Sequence, residues 1–363
     1  MNDRGGPTGQ IQVALYKLRA LTIHASNVPQ PGRFLVRWGV GLFTRLGDTE
    51  LAQIAGAFGL GGIARAQPIL AGTINTNFAV DTERGSYFVR LNEGKSLADV
   101  AWEAQLVAAL AAAGVVTPPP ILAEDGRPYA LLAGTDKWVS VFPWRAGRHL
   151  GSDEITAAVA GEFGAALAGL HVAGLALPEA WRRASIYDHD HLVARHASFA
   201  HSRDPELARA IEVLGEELAA AAAAAAIRRR ATHGIIHGDL FRDNVLWDEA
   251  GRIAAILDFE QASGGSLVYD LAICLNDWCW TGAPRLELAA ALLAGYQRVR
   301  PLTAADREAF PVEVRAASAR FTITRITDVY LARVYNPDKD FRAFLARCDV
   351  WRGPALGQLS ALL

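Results

Sequence analysis

Residues 235–260, IIHGDLFRDNVLWDEAGRIAAILDFE, combine short apolar segments with a polar loop and decide the fold of the chain. The segments NVLWD and IAAILDF flank the turn-forming residues EAGR and predict a β-hairpin. His237 and Asp239 in the loop before the hairpin, with Asn244 at the start of NVLWD, form the pattern H-x-D-x-x-x-x-N, and Asp258 lies near the end of the second segment. An incidental polar loop has no need for these four groups in this order, so the pattern indicates a chemical site.

The polar groups of this loop suit phosphoryl transfer, which requires few protein groups but requires each of them to be well placed. Asp239 can accept or orient the proton of an attacking hydroxyl group. Asn244 and Asp258 supply the oxygen ligands that Mg²⁺ prefers. H-x-D alone is a weak signal, whereas the complete pattern between strands is typical of kinases. The loop therefore predicts ATP and Mg²⁺ as cofactors.

The loop and the segment YDLA that follows it resemble the aminoglycoside phosphotransferase and choline kinase superfamily, whose fold is similar to that of protein kinases. The resemblance implies that Asp239 is the catalytic base, that Asn244 and Asp258 bind Mg²⁺, and that His237 braces the loop. Asp270, in YDLA, would hold the loop backbone by hydrogen bonds. For Asp270, a charge that interacts with a helix dipole is the alternative interpretation.

The predicted secondary structure changes near Gly147 from mainly strands to mainly helices, and we expect one lobe on each side of that point. Before it, alternating segments predict a small antiparallel β-sheet, with one helix at about residues 97–113. After it, long alanine-rich stretches predict helices. The resemblance covers about residues 48–345 and implies an α+β, protein-kinase-like two-lobe fold. We therefore expect a nucleotide-binding N-lobe at residues 47–143 and a larger helical C-lobe, catalytic and substrate-binding, at residues 144–363.

Residues 1–46 differ from the rest of the chain, because scattered Gly and Pro interrupt them and their apolar residues keep no period. We expect a poorly ordered N-terminal arm. One interpretation is that translation starts near Val40 and that the upstream residues come from a misplaced start. The rival is a real extension that covers the nucleotide lobe or a partner, since RFLVRWGVGLF is apolar enough to pack.

The segment ILAGTINTNFAV lies between two predicted strands and is expected to cover the phosphates of the nucleotide. Its glycine permits a tight turn, and its short polar residues offer side-chain groups and backbone N–H donors. An ordinary hairpin turn is the alternative. The residues assigned to this turn are Gly72, Thr73, Asn75, Thr76 and Asn77.

Arg90 occupies the strand position at which the superfamily commonly has lysine, and Glu103, on the next helix, is its expected ion-pair partner. Arginine keeps the charge but is bulkier and has a planar fork. A surface ion pair is the alternative interpretation of these two residues. We expect adenine to pack near Ser140 and Phe142, where the lobes join.

The last third of the chain narrows the choice of acceptor. The segments YDLAICLNDWCW and LLAGYQRVRPLTAADREAFPVEVRAASARFTITRITD, like GTINTNF earlier, resemble the homoserine kinases of the kinase-like fold. Homoserine carries an ammonium and a carboxylate near its hydroxyl group, so a cation and an acid are needed close to Asp239. The candidates are Arg320, Arg325, Asp277, Asp328 and Glu260. Arg325 and Asp328, three positions apart, could instead form only a helix surface pair.

Two other functions stay open at this point. One is a kinase of the same fold that acts on another small alcohol or amino alcohol, with a choline-like or aminoglycoside-like acceptor. The other is a catalytically silent binding protein, although such a protein would have no need for Asp239, Asn244 and Asp258 together.

Composition excludes several classes of partner and leaves the oligomeric state open. The net charge of -2 and the pI near 6.5 give no sign of binding to nucleic acid or to an anionic membrane. The three cysteines match no paired zinc pattern and predict reduced thiols in a cytoplasmic protein. No uninterrupted apolar run reaches the roughly 18 residues that span a bilayer. We expect a small-molecule substrate.

Overall fold

The computed structural model describes residues 43–70, 74–334 and 336–363. The predicted N-terminal arm lies almost wholly outside the described residues, and so do Gly72 and Thr73 of the predicted phosphate turn.

The first part of the described chain forms a five-stranded antiparallel sheet with strand order β1-β2-β3-β5-β4. Its strands alternate apolar and polar residues, so one face builds a separate core that includes Val80, Val89 and Val141. The elements are α1 (Asp48–Ala57), β1 (Ile63–Ile69), β2 (Thr76–Thr82), β3 (Gly85–Asn92), α2 (Leu97–Ala112), β4 (Ala130–Leu131) and β5 (Trp138–Pro143). We call this part the N-lobe. The boundary between the lobes at residues 143 and 144 remains a prediction.

The rest of the chain, the C-lobe, is mostly helical and contains two short two-stranded sheets, β6-β9 and β7-β8. Its helices are α3 (Ala157–Ala176), α4 (His189–Phe199), α5 (Ala208–Ala223), α6 (Ala225–Arg230), α7 (Leu267–Trp278), α8 (Leu286–Val299), α9 (Ala304–Arg325), α10 (Phe341–Trp351) and α11 (Pro354–Ser360). Its strands are β6 (His233–Ile236), β7 (Val245–Trp247), β8 (Ile253–Ile256) and β9 (Ser263–Ser266). The predicted α+β, protein-kinase-like two-lobe fold is confirmed.

Helices α3 and α8 pack with their backbones in direct contact, which glycine makes possible. A Cβ atom on Gly164 would collide with the carbonyl oxygen of Leu292, and one on Gly295 with the carbonyl oxygen of Gly161. Helix α3 is long and apolar enough to cross a membrane by length and composition alone, although it is not one uninterrupted apolar run. Half of it is buried inside the protein, as is usual for a core helix. Helix α3 also contacts β6, the strand that precedes the loop with His237 and Asp239.

Candidate active site

Helix α7 holds the first half of the loop at residues 237–244 through Asp270. The two carboxylate oxygens accept hydrogen bonds from the backbone N–H groups of His237 at 2.8 Å and Gly238 at 2.9 Å. His171 Nε2 lies 3.1 Å from the same carboxylate, and its Nδ1 lies 2.7 Å from the hydroxyl of Tyr296. Burial alone would raise the pKa of Asp270, but the hydrogen bonds with His171 and His237 lower it overall. Asp270 therefore keeps its charge and holds the loop backbone.

The second half of the loop is held by the same helix two turns later, through Asp277. Asp277 Oδ2 accepts hydrogen bonds from the backbone N–H of Arg242 at 2.9 Å and from its Nε at 3.0 Å. Trp278 Nε1 donates to the carbonyl oxygen of Leu240 at 3.2 Å. Asp277 was predicted to bind the alcohol substrate, but a direct contact with that substrate would have to compete with these hydrogen bonds. The geometry favours a role in bracing the loop.

His237 connects the loop to the end of β8. Its Nε2 lies 2.9 Å from the carbonyl oxygen of Leu257, and its ring centroid lies 4.7 Å from that of Phe259. The residue is fully buried. These contacts give His237 a means of bracing the loop against the strand that ends at Asp258.

Asp239 lies between the two halves of the loop, with about one third of its side chain exposed and Arg320 Nη1 3.3 Å from its Oδ1. Arg320 is itself buried and stacks on the rings of Phe321 and Tyr187, 3.8 and 4.1 Å from their centroids. The surrounding protein raises the pKa of Asp239, and the Arg320 guanidinium opposes the rise. A carboxylate of this kind can accept a proton more readily than an ordinary surface aspartate.

Asn244 and Asp258, the two predicted magnesium ligands, both carry oxygen donor atoms of the type that Mg²⁺ prefers. Asn244 Nδ2 donates to the backbone carbonyl of Asp239 at 2.8 Å, so the amide oxygen is left to face elsewhere. The Oδ1 of Asp258 is buried and has no well-formed hydrogen bond, although Arg90 Nη2 lies 3.3 Å away as an ion-pair partner. Asp258 also has a left-handed backbone, with φ 66° and ψ 66°. Such strain at a polar residue is typical of functional sites. Within the described residues, no cluster of three or more His, Cys, Asp or Glu side chains could hold a metal, so a bound Mg²⁺ would complete its shell with water and phosphate oxygens.

Arg90 and Glu103 form the expected ion pair, with 3.0 Å between Nη1 and Oε1. The alternative of a surface pair is wrong, because the two residues are only 8% and 7% exposed. Arg90 Nη2 also lies 3.3 Å from Asp258 Oδ1. Burial alone would lower the pKa of Arg90, but the carboxylates of Asp258 and Glu103 raise it overall. The arginine thus connects the N-lobe to the carboxylate that is predicted to bind the metal.

Glu260 lies on the turn after Asp258, and its carboxylate is directed at the N-lobe. Oε2 accepts a hydrogen bond from Asn75 Nδ2 at 2.7 Å and lies 3.0 Å from Lys95 Nζ. We expected Glu260 to face the acceptor; its partners are instead on the nucleotide side, because the short helical turn after Asp258 aims the side chain at the start of α2. Lys95 also contacts Glu103 Oε2 at 3.0 Å.

The remaining residues of the predicted phosphate turn have structural partners. Thr76 Oγ1 donates to Glu93 Oε1 at 2.7 Å, and it accepts hydrogen bonds from two backbone N–H groups that precede α1. Asn77 is buried, and its Oδ1 has no hydrogen-bond partner within the described part of the chain. Of the turn, Asn75 therefore has the most direct link to the C-lobe.

Ser140 and Phe142, the residues of the predicted adenine site, lie on β5, which pairs with β3. Ser140 Oγ accepts a hydrogen bond from Asn92 Nδ2 at 3.1 Å. The Phe142 ring packs 6.3 Å from that of Phe88. Ser140 is buried, whereas Phe142 is only partly buried and is the more accessible of the two to an adenine ring.

The predicted acceptor residues at the end of α9 divide between two places. Arg325 stacks on the ring of Phe344 at 4.4 Å, and its Nη1 donates to the carbonyl oxygen of Asp340 at 3.0 Å. Asp328 forms an ion pair with Arg195 at 2.5 Å. The alternative pairing of Arg325 with Asp328 is wrong, because a π-helical turn follows Arg325 and the acid contacts α4 instead.

Sequence reasoning missed Lys95 and the bracing role of Arg242, and it explained His171 by packing. Lys95 follows β3 in the turn NEGK, where Gly94 has a φ of 66°, and it stands eight positions before Glu103. A second cation so close to the predicted partner of Arg90 is a signal that could have been used. His171 has no comparable local signal, since its partner Asp270 lies 99 positions away.

Comparisons with known proteins agree with this geometry. The model of the phosphotransferase enzyme family (APH) matches residues 65–302, more than half of the chain. A homoserine kinase of Gluconacetobacter diazotrophicus is 33% identical over 303 residues, covering 79% of this chain and 88% of the relative. A homoserine kinase of Caulobacter sp. is 33% identical over 293 residues, with the same coverage of both chains.

A solved structure with the same fold is that of an amicoumacin kinase in complex with AMP-PNP, Ca²⁺ and Ami. The TM-score is 0.67 at 17% identity, and the match covers 84% of this chain and 92% of that one. A likeness at this level of identity shows the fold alone. The family match and the two homoserine kinase relatives show that the chain belongs to the phosphotransferase enzyme family and, within it, to the homoserine kinases of the kinase-like fold.

Proposed function

We propose that the protein is an ATP-dependent homoserine kinase, which converts ATP and L-homoserine into ADP and O-phospho-L-homoserine. The names of its relatives and the AMP-PNP in the amicoumacin kinase structure support a nucleoside triphosphate as donor and a small molecule as acceptor. A cytoplasmic location is part of the proposal, supported by three buried free cysteines, which suit a reducing compartment. The near-neutral net charge supports a protein without nucleic-acid or membrane partners.

In this proposal, Asp239 orients the homoserine hydroxyl and accepts its proton. A bond forms between the hydroxyl oxygen and the γ-phosphorus as the bond from that phosphorus to the β,γ-bridging oxygen breaks, and ADP leaves. Asn244 and Asp258 would hold Mg²⁺, which neutralises charge on the phosphates. Arg90 lies beside Asp258 and is placed to approach the same phosphates. Asp270 and Asp277 keep the loop rigid, so that Asp239 is correctly placed before the substrate arrives.

The observation that carries the choice of acceptor is the buried cation Arg320, 3.3 Å from Asp239. Arg325 is partly buried, and burial lowers its pKa to about 10, with the carboxylates of Asp277 and Asp239 opposing the shift. A second guanidinium therefore lies in the same electrostatic environment. Choline and aminoglycosides are cations and would be repelled by these arginines. An amino acid brings a carboxylate, which arginine can bind through two hydrogen bonds. The arrangement therefore favours homoserine over a choline-like acceptor.

A coupled assay of ATP consumption with L-homoserine, L-serine, L-threonine and choline tests the proposal. The most informative control is 3-aminopropan-1-ol, which equals homoserine without its carboxylate. We expect kcat/KM for this analogue to be lower at least about 30-fold, because leaving one member of a buried charge pair without its partner costs about 2–5 kcal/mol. Equal use of the analogue, or a preference for choline, would establish the alternative, a kinase for another amino alcohol.

A further inference from the structure

Five side chains form a closed ring of charges around the nucleotide side of the site. Starting at Asp258, the ring passes to Arg90 at 3.3 Å, to Glu103 at 3.0 Å, to Lys95 at 3.0 Å and to Glu260 at 3.0 Å. It closes through the backbone, since Asp258 and Glu260 are two positions apart on one turn. Three members belong to the N-lobe and two to the C-lobe, so the ring joins the two lobes beside the predicted metal site.

We propose that Glu260 is a positioning residue for the nucleotide, which fixes the N-lobe over the metal-binding Asp258 through Lys95 and Asn75. The inference rests on the proposed use of ATP and Mg²⁺, but it does not depend on which alcohol is the acceptor. It replaces our expectation that Glu260 faces the acceptor.

Four of the five side chains in the ring are largely buried, which strengthens their contacts, whereas the side chain of Asp258 is 34% exposed. The side chains of Glu260 and Glu103 are 9% exposed, and that of Lys95 is 15% exposed. Ion pairs in such surroundings are screened by solvent far less than surface pairs. Breaking one would leave a charge buried without its partner, which is costly. If the N-lobe moved away from Asp258, the ion pair of Lys95 with Glu260 or that of Arg90 with Asp258 would break.

The backbone of the same turn is held from its other side, so that Glu260 starts from a defined place. Arg183 Nη2 donates to the carbonyl oxygen of Glu260 at 2.7 Å, and its Nε donates to that of Ala262 at 2.9 Å. The Arg183 guanidinium stacks on Trp102 of α2, 3.9 Å from the ring centroid. The turn after Asp258 is thus fixed to α2 by its backbone as well as by the Glu260 side chain.

Charge explains why the ring would respond to the metal–nucleotide complex. It contains three carboxylates and two cations, so its formal charge is negative, and free ATP would be repelled. A divalent cation at Asp258 makes the sum positive, and it competes with Arg90 for the same oxygen. Arg90 is then available to the phosphates, while Lys95, Glu260 and Asn75 keep the turn above them. Glu260 should therefore influence the affinity for Mg²⁺–nucleotide and not the affinity for the acceptor.

The experiment measures the binding of AMP-PNP with Mg²⁺ by calorimetry in the absence of any acceptor, using Glu260→Gln and Lys95→Met. We expect the Kd to rise about 10- to 100-fold in each, since hydrogen bonds to charged groups contribute about 1.5–3 kcal/mol. The double variant should bind no more weakly than the weaker single variant, because both remove the same interaction. Acceptor KM at saturating nucleotide should stay within about twofold of the unaltered protein.

Glu179→Gln is the matched control, since it makes the same chemical change at a side chain that is 90% exposed. Melting temperatures identify any variant that does not fold, and Asn75→Ala then removes the other partner of Glu260 with a smaller effect in the same direction. Unchanged nucleotide affinity with a raised acceptor KM would overturn the inference and restore the acceptor role. Values equal to those of the control would overturn it as well. If the unaltered protein does not bind AMP-PNP, the proposed function itself fails.

Discussion

The nucleotide side and the acceptor side of the site both contain buried or partly buried arginines, but the surroundings of these arginines differ. Arg90 lies between the carboxylates of Asp258 and Glu103, which raise its pKa against the effect of burial. Arg325 and Arg347 both stack on one aromatic residue, Phe344, and donate hydrogen bonds to backbone carbonyl oxygens. Burial lowers the pKa of each of these two to about 10.

The pKa of Arg90 is raised and the pKa values of Arg325 and Arg347 are lowered, so the two regions differ in how well they stabilise a charged arginine. Around Arg90 the charged form is already stabilised by acids, so this region is a closed network that holds the lobes in place. Around Arg325 and Arg347 the charged form is destabilised by burial, and an anion brought by a ligand would restore it. The same residue type thus serves architecture on one side and, in our proposal, recognition of a carboxylate on the other.

The largest expected effect is at Asp239, which both sides share. Asp239→Asn removes the proposed base while it keeps the shape of the side chain, and we expect turnover to fall by about 10²- to 10⁴-fold. Nucleotide binding should be little changed, because Asp239 is outside the ring. Steady-state kinetics together with a melting curve test this, and a folded variant with near-normal turnover would remove Asp239 from its role.

Asp270→Ala tests the scaffold on which both sides depend. The change leaves two backbone N–H groups and His171 without their buried partner, and we expect about 3–5 kcal/mol lower stability. Urea unfolding monitored by tryptophan fluorescence measures it. Asp277→Ala serves as comparison and should cost less, since Arg242 can reach solvent. Equal losses at the two positions would show that the two halves of the loop are held equally.

Arg325→Met separates the acceptor side from the nucleotide side. We expect acceptor KM to rise about 10- to 100-fold, from the loss of a hydrogen-bonded charge, while the Kd for AMP-PNP with Mg²⁺ stays unchanged. This is the reverse of the result expected for Glu260→Gln. Arg342→Met, at an exposed arginine of α10, is the control. If Arg325→Met weakens nucleotide binding as well, the two regions are not separable in the way described.

The smallest expected effect is a change in pH dependence at Arg320. Asp239 must be deprotonated to act as base, so activity falls as the pH drops through its pKa, which burial raises and Arg320 opposes. Arg320→Met removes the opposing charge and should move the acidic limb of kcat to higher pH, whereas Arg320→Lys should restore it. The pH profile is measured at saturating acceptor; an unmoved limb in a folded Arg320→Met protein would show that the guanidinium does not influence Asp239.

The predicted site residues that could be assigned from a sequence motif are those whose relations are local. His237, Asp239 and Asn244 lie within one loop, and Asp258 ends the hairpin that follows, so their order alone indicates their chemistry. Arg325 and Asp328 show the limit of the same approach. Their spacing suggested an ion pair, but Asp328 lies in a π-helical turn after Arg325, which directs its side chain elsewhere. No pattern in the sequence of this segment predicts that turn.

By itself, the sequence determined the two-lobe fold, the catalytic loop and the phosphotransferase chemistry, because strand alternation, helix propensity and short motif spacing act between near neighbours. Only the tertiary structure decided where Glu260 points, that Lys95 belongs to the site and that Arg320 lies beside Asp239. The partners in these contacts are 185 positions apart for Asn75 and Glu260 and 81 positions apart for Arg320 and Asp239. A charged side chain takes the partner that folding brings to it, and in a buried site that partner comes from a distant segment whose approach depends on the packing of whole helices and sheets.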